Sequence, residues 1–223
     1  MRLEWDKIGE RQFETGVSNV VLYPLGADGT YSVGIPWNGV TGITESPSGA
    51  EPTALWADNI KYGNLMSAEE FAATLEAYMY PDEFAVCNGE AALNGIKGVT
   101  IGQQKRQAFG LSYQTRIGND TEGDTFGYKI HLIYGCLAAP SERAHQTVND
   151  SPEAETMSWE ISTTPVNVTG AKPTAHLTIN STTVDAEALK AIEDVLYGAT
   201  DKEASLPLPD AIAELMGDAA LAG

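Results

Sequence analysis

Strict alternation of apolar and polar residues, the period of a half-buried strand, is clearest between residues 108 and 135. Phe109, Leu111, Tyr113, Thr115 and Ile117 alternate with Ala108, Gly110, Ser112, Gln114 and Arg116. A polar turn, NDTEGD, follows, after which Phe126, Tyr128, Ile130, Leu132 and Tyr134 alternate with Gly127, Lys129, His131, Ile133 and Gly135. The pattern predicts a hairpin with one apolar and one more polar face. MSWEIS (157–162) and TAHLTIN (174–180) repeat it, with Met157, Trp159 and Ile161, then Ala175, Leu177 and Ile179, facing inward. VSNVVLYPL (17–25) reads as a strand, and GADG (26–29) holds an Asp-Gly turn signal leading into a second, TYSVGIPW (30–37).

The helical period is plain in VDAEALKAIEDVLYG (184–198). Leu189, Ile192 and Leu196 form its stripe, Asp185 and Glu187 favour its N-terminus, and Gly198 suits the position just past its end. A shorter helix is expected over 209–217, followed by a tail of small residues. The run SAEEFAATLEAYMYPDEF (67–84) supports two readings. Ser67 and Glu70 have capping-box spacing, and Phe71, Leu75 and Met79 recur every four residues as on a helix. The same letters alternate as a strand, with Phe71, Ala73, Leu75, Ala77 and Met79 opposite Ala72, Thr74, Glu76, Tyr78 and Tyr80.

Two segments lack either period. Residues 1–16 are polar, with Leu3, Trp5, Ile8 and Phe13 scattered among them, and read as an arm that docks on something. Residues 38–66, rich in Gly and Pro, read as a long loop whose Leu55, Trp56, Ile60 and Tyr62 favour docking over disorder. No repeat and no interdomain linker interrupts the chain. Residues 1–223 are therefore one domain, with arm 1–16, loop 38–66 and C-terminal tail 199–223, long enough to bury a proper core.

Charge narrows the function classes. Thirteen Lys and Arg stand against 31 Asp and Glu, a formal net charge of −18. Neutralising phosphates needs clustered positive charge, so nucleic-acid binding and attachment to an anionic membrane are disfavoured. Cys87 and Cys136 are far apart, which points to a reducing compartment rather than a disulfide framework. MRLEWDKIGERQFETG has no apolar core of a signal peptide, and no run reaches the length of a membrane span. In a cytosolic chain the N-x-[ST] matches at Asn119, Asn149, Asn167 and Asn180 carry no glycosylation meaning.

Motif chemistry is sparse. No dinucleotide or P-loop glycine pattern and no Gly-x-Ser-x-Gly elbow occurs. His131, His145 and His176 lie far apart, none with a ligand at zinc-site spacing, so each reads as a strand or loop histidine and no metal or cofactor is expected. The loop 119–124 lacks the alternating carboxylates and terminal Glu of a calcium loop and reads as a solvated turn. Glu76 and Glu160 fit the roles of a glycosidase acid and nucleophile on facing strands, and equally those of plain surface carboxylates.

Several stretches taken together resemble the major tail proteins of long-tailed (siphovirus-type) phages and prophages of Gram-positive bacteria. They are ESPSGAEPTALWADNIKYGNLMSAEEFAATLEAYMYPDEF, GVTIGQQKRQAFGLSYQTRIGND, GYKIHLIYGCLAAPSE and NDSPEAETMSWEISTTPV, with the opening WDKIGERQFETGVSNVVLYP and the closing LPLPDAIAELMG. The resemblance covers nearly the whole chain. It implies a mainly β fold, a two-sheet sandwich or barrel of the tail-tube type with one flanking helix at about 184–197, and it places 71–80 in a strand with SAEE as a turn before it. It further implies hexameric rings that stack into a hollow tube in the virion, assembled in the host bacterial cytoplasm beside tape-measure and tail-tip or terminator proteins. DNA would pass through an acidic lumen without binding, and no catalysis is expected. On this reading Leu55, Trp56, Ile60, Tyr62 and Trp5 are inter-ring candidates, and Thr74, Glu76, Ser112 and Gln114 are lumen candidates. A monomeric β-sandwich binding or decoration module and a glycoside hydrolase are the alternatives.

Overall fold

The computed structural model describes residues 2–148, 150 and 153–222; the Asn149 sequon falls outside them. Along the chain, β1 (Gln12–Pro24) is followed by β2 (Ile35–Pro36), β3 (Val40–Glu45), β4 (Ser48–Gly49), β5 (Pro52–Ala57), β6 (Ile60–Met66), β7 (Glu69–Glu70) and β8 (Ala72–Ala77). A one-turn α1 (Phe84–Cys87) and the short pair β9 (Ala91–Ala92) and β10 (Thr100–Ile101) lead to the long hairpin β11 (Phe109–Asn119) and β12 (Gly123–Ala138). Then come β13 (Met157–Thr163), β14 (His176–Asn180), α2 (Ala186–Leu196) and α3 (Pro209–Ala222).

The main strands form two leaves that share β12. It pairs with β11 from Gly123 to Cys136; on its other side it pairs with β14, from Lys129↔Asn180 to Ile133↔His176, and then with β13, from Cys136↔Thr163 to Ala138↔Ile161. Gly135, at φ +59°, turns the strand from one leaf to the other, and a Cβ there would lie 2.3 Å from the Thr164 carbonyl oxygen. Only glycine tolerates both the left-handed backbone and that approach. Leaf A is therefore β2-β1-β11-β12-β14, and leaf B is β13-β8-β3. All pairings are antiparallel, giving a mainly β sandwich.

Between the leaves, Val20, Leu22, Phe109, Leu111 and Ile133 of leaf A meet Ala73, Leu75, Ala77, Trp159 and Ile161 of leaf B, with Phe84 of α1 closing one end. A second apolar layer lies outside leaf A. There Val21, Tyr23, Ile130, Leu132, Tyr134 and Ile179 pack under Leu189, Ile192 and Leu196 of α2 and Ile212 of α3. Hence leaf A is buried on both faces, whereas no helix packs on the outer face of leaf B among the described residues.

The α2 termini follow the sequence signals. Asp185 accepts from the N–H groups of Glu187 (2.9 Å) and Ala188 (3.2 Å), and Gly198 stands just beyond the helix at φ +85°. Asp185→Ala should cost about 1 kcal/mol, read as a lower urea midpoint at unchanged slope, with Asp185→Asn close to the parent.

Three expectations need correction. Residues 38–66 are not a loop, since they contain β3 and the β5–β6 hairpin. In TYSVGIPW the strand shrinks to Ile35 and Pro36, flanked by single bonds from Ser32 and Trp37 to the Pro24 and Val20 carbonyls of β1 (2.7 and 2.8 Å), while Gly34 donates instead to the Ala204 carbonyl (2.8 Å). SAEE is not a turn; Glu69 and Glu70 pair with Gly49 and Ser48. The run 72–77 is a strand, as the resemblance implies for 71–80; it lies between β13 and β3, and pairing on both sides overrides its helix propensity.

Candidate functional site

The inter-ring candidates converge on the β5–β6 hairpin. Asp58 and Asn59 both have positive φ (49° and 62°), as a two-residue type I′ turn requires, and Asx residues reach that region cheaply. Every residue of the two strands is exposed except half-buried Gly63. Trp56 is 69% exposed, Tyr62 77% and Ile60 64%. Leu65 and Met66, absent from the sequence-based set, are equally bare. The register puts Thr53, Leu55, Ala57, Ile60 and Leu65 on one face and Pro52, Ala54, Trp56, Lys61 and Met66 on the other. A register shift between Leu55 and Trp56 leaves Tyr62 unpaired. An isolated two-stranded ribbon is marginal in water, and this one leaves its strands exposed to it.

Trp5, the remaining inter-ring candidate, lies on the N-terminal arm at 76% exposure, flanked by exposed Leu3 and Ile8. The arm is moored further on, where Gly9 donates to Asp120 Oδ1 (2.9 Å) and accepts from Asn119 Nδ2 (3.3 Å) at the β11–β12 turn. Trp5 and the hairpin thus sit on separate elements.

The lumen candidates divide. Thr74 and Glu76 lie on the outer face of leaf B, in register with Thr44 and Gly42 of β3 and with Glu160 and Ser158 of β13. With Ala72 and Ser162 added, that face is small, polar and acidic throughout. Ser112 and Gln114 belong elsewhere. Ser112 is fully buried beneath α2, its hydroxyl 3.2 Å from that of Tyr23, which donates to the Leu196 carbonyl (2.7 Å). Gln114 accepts from Asn19 Nδ2 (2.6 Å) and donates to the Tyr197 hydroxyl (3.0 Å). They are polar core residues satisfied under a helix, and neither faces a lumen from this position. Glu76 and Glu160 sit on adjacent strands of one sheet face, not on facing strands across a cleft, as the glycosidase reading requires.

A cluster that sequence spacing concealed closes the open end of the sandwich. β12–β14 pairing brings His131 Nδ1 and His176 Nε2 to 3.2 Å. Glu45, at the end of β3, places Oε1 3.4 Å from His131 Nδ1 and 3.6 Å from His176 Nε2. Tyr113 donates to the same carboxylate oxygen (2.5 Å) and stacks on His131 at 4.6 Å, while Phe71 stacks on His176 at 4.6 Å. On its far side, His131 Nε2 lies 3.0 Å from Thr115 Oγ1 and 3.5 Å from Glu14. Burial holds both imidazoles below the usual histidine range against the pull of Glu45, which favours their neutral forms at pH 7. Burial pushes the Glu14 carboxyl up, but hydrogen bonds from Lys129 and Thr115 hold it net below the usual range. Cys87 and Cys136 are buried thiols in the apolar part of the same interior.

No protein-family model and no curated protein matches the chain. Among solved structures it is similar to a chain of the anti-feeding prophage (AFP) baseplate, seen by cryo-electron microscopy with six-fold symmetrisation. The identity is 10% and the TM-score 0.38, over 79% of this chain and 97% of that one. No helix among the described residues is long and apolar enough to cross a membrane.

Proposed function

We propose that this chain is a non-enzymatic structural subunit of a phage-type tail tube, built of hexameric rings stacked into a conduit for DNA. The observation that carries the reading is the β5–β6 hairpin, an apolar ribbon projected from the sandwich and exposed on both faces. Such a ribbon suits insertion into a neighbouring copy, where Leu55, Trp56, Ile60 and Tyr62 would be anchors of the aromatic kind that dominates interfaces. Trp5 on the arm would supply a second contact between rings.

The two outer faces of the sandwich support an inside and an outside. Leaf A carries the helices and would face outward. Leaf B, with Thr74, Glu76 and Glu160 among small residues, would line the lumen, and its carboxylates would repel phosphates so that DNA slides without sticking. The free edges at β3 and β14 offer backbone groups for pairing between neighbours in a ring. Tape-measure and tail-tip or terminator proteins would be the other partners, and assembly would take place in a bacterial cytoplasm.

Negative-stain electron microscopy of the purified chain, alone and with the other tail components, tests this. Rings or tubes with a central channel are expected. A strictly monomeric species at high concentration under both conditions overturns the reading in favour of a free-standing binding module.

A further inference from the structure

The geometry points to a divalent-metal site, with zinc the best-matched ion, formed by His131 Nδ1, His176 Nε2 and Glu45 Oε1. The three atoms form a triangle with sides of 3.2, 3.4 and 3.6 Å. A tetrahedral zinc with bonds of about 2.0–2.1 Å spaces its ligand atoms by roughly 3.3–3.4 Å, so the triangle has the size of one face of such a centre. Two imidazoles and a carboxylate are also a donor set that zinc favours, with water left to complete the fourth position.

The surroundings fit a ligand set as well as the distances do. Metal-bound histidines commonly give their second ring nitrogen to an oxygen acceptor, and His131 Nε2 faces Thr115 Oγ1 and Glu14. Tyr113 orients the Glu45 carboxylate. The imidazole planes are nearly parallel, 6° apart, and the facing nitrogens are placed to share one N–H···N hydrogen bond. Binding requires one of them to move its proton to its other nitrogen, which frees both facing lone pairs, and the rings to swing so that these lone pairs, aimed at each other across the hydrogen bond, converge on the ion. Neutral imidazoles therefore give up no net proton.

The location gives the site a consequence. His131 and His176 belong to leaf A and Glu45 to leaf B, so an ion would tie the two leaves at the open end of the sandwich. Glu45 also precedes the excursion 46–70 and Phe71, stacked on His176, follows it. A bound ion would thus brace the root of the β5–β6 hairpin from both of its ends. This inference does not depend on ring assembly.

The test uses the full-length chain, stripped with chelator and titrated with Zn²⁺ against a chromophoric competitor, with melting followed in parallel. One equivalent should bind, and the melting temperature should rise by roughly 5–10 °C at a hundredfold excess over the dissociation constant. Co²⁺ should give the visible bands of a tetrahedral centre. His176→Gln and Glu45→Gln should abolish the site, and Tyr113→Phe should weaken it by about tenfold or more, as loss of a supporting hydrogen bond does. His145→Ala should leave it intact, which distinguishes it from the exposed His145–Glu155 pair. Glu45→Gln, at an exposed strand end, covers the case in which the histidine variant does not fold. Half-saturation above about 100 μM, weaker than a preformed three-ligand site should give, overturns the proposal. So does binding unchanged in folded Glu45→Gln.

Discussion

Trp159→Ala should cost about 3–5 kcal/mol, enough to threaten the fold of a domain whose whole stability is typically about 5–15 kcal/mol. Trp159 is fully buried on β13, at the centre of the inter-leaf core. Its ring meets Trp37, Tyr80 and Phe84 edge-on, at centroid distances of 5.7, 5.8 and 5.3 Å. Removing it deletes three aromatic contacts at once and leaves a cavity that two paired sheets cannot easily collapse to fill. It also removes the indole N–H that Asn88 Oδ1 accepts (3.2 Å), leaving a partly buried amide oxygen short of a partner. The check is a denaturant titration, with the midpoint falling at unchanged slope, and Trp159→Phe retaining much of the loss. A cost below about 1 kcal/mol, the typical size of any substitution, would mean that the aromatic cluster is not the centre of the core.

That core was legible because burial writes itself into sequence as alternation. The inward sets Met157, Trp159 and Ile161 and Ala73, Leu75 and Ala77 emerge as read, as does the α2 stripe with its caps. The hairpin was not legible for the converse reason. Every residue of β5 and β6 but Gly63 is exposed, so no inward face exists to impose a period, and apolar residues appear on both sides. Its one local signal was the Asp58-Asn59 pair, whose tolerance of positive φ marks a type I′ turn. Ser112 and Gln114 lie on a polar face that is not an open one. Alternation does not say whether a helix from 70 residues downstream will cover that face, nor that Tyr23 and Tyr197 will satisfy its polar atoms. The histidine pair was hidden more deeply. His131 and His176 are 45 residues apart, and only the β12–β14 register brings them together.

Replacing the hairpin's apolar surface should separate folding from assembly. A variant carrying Leu55→Ser, Trp56→Ser, Ile60→Thr and Tyr62→Ser removes side chains that touch no core, so its unfolding midpoint should stay within the equivalent of about 0.5 kcal/mol per substitution. If these residues are interface anchors, truncating each costs about 2 kcal/mol or more, a factor of roughly 30 in association per site, and the four together should eliminate rings and tubes. Trp56→Ala alone should already lower tube yield more than it lowers monomer stability, and Trp5→Ala should do so less, since its arm is a separate contact. Paired measurements decide the matter: chemical denaturation of the monomer, and sedimentation with negative-stain imaging of the assembled fraction. Normal tube yield from the fourfold variant would remove the hairpin from the assembly interface. A collapse of monomer stability instead would assign its apolar residues to the fold, and the ribbon would then be packed in solution against a surface of its own chain. The expected outcome, a stable monomer that no longer polymerises, follows from one physical asymmetry. The sandwich has two buried apolar layers of its own, whereas the ribbon, exposed along both strands, has none.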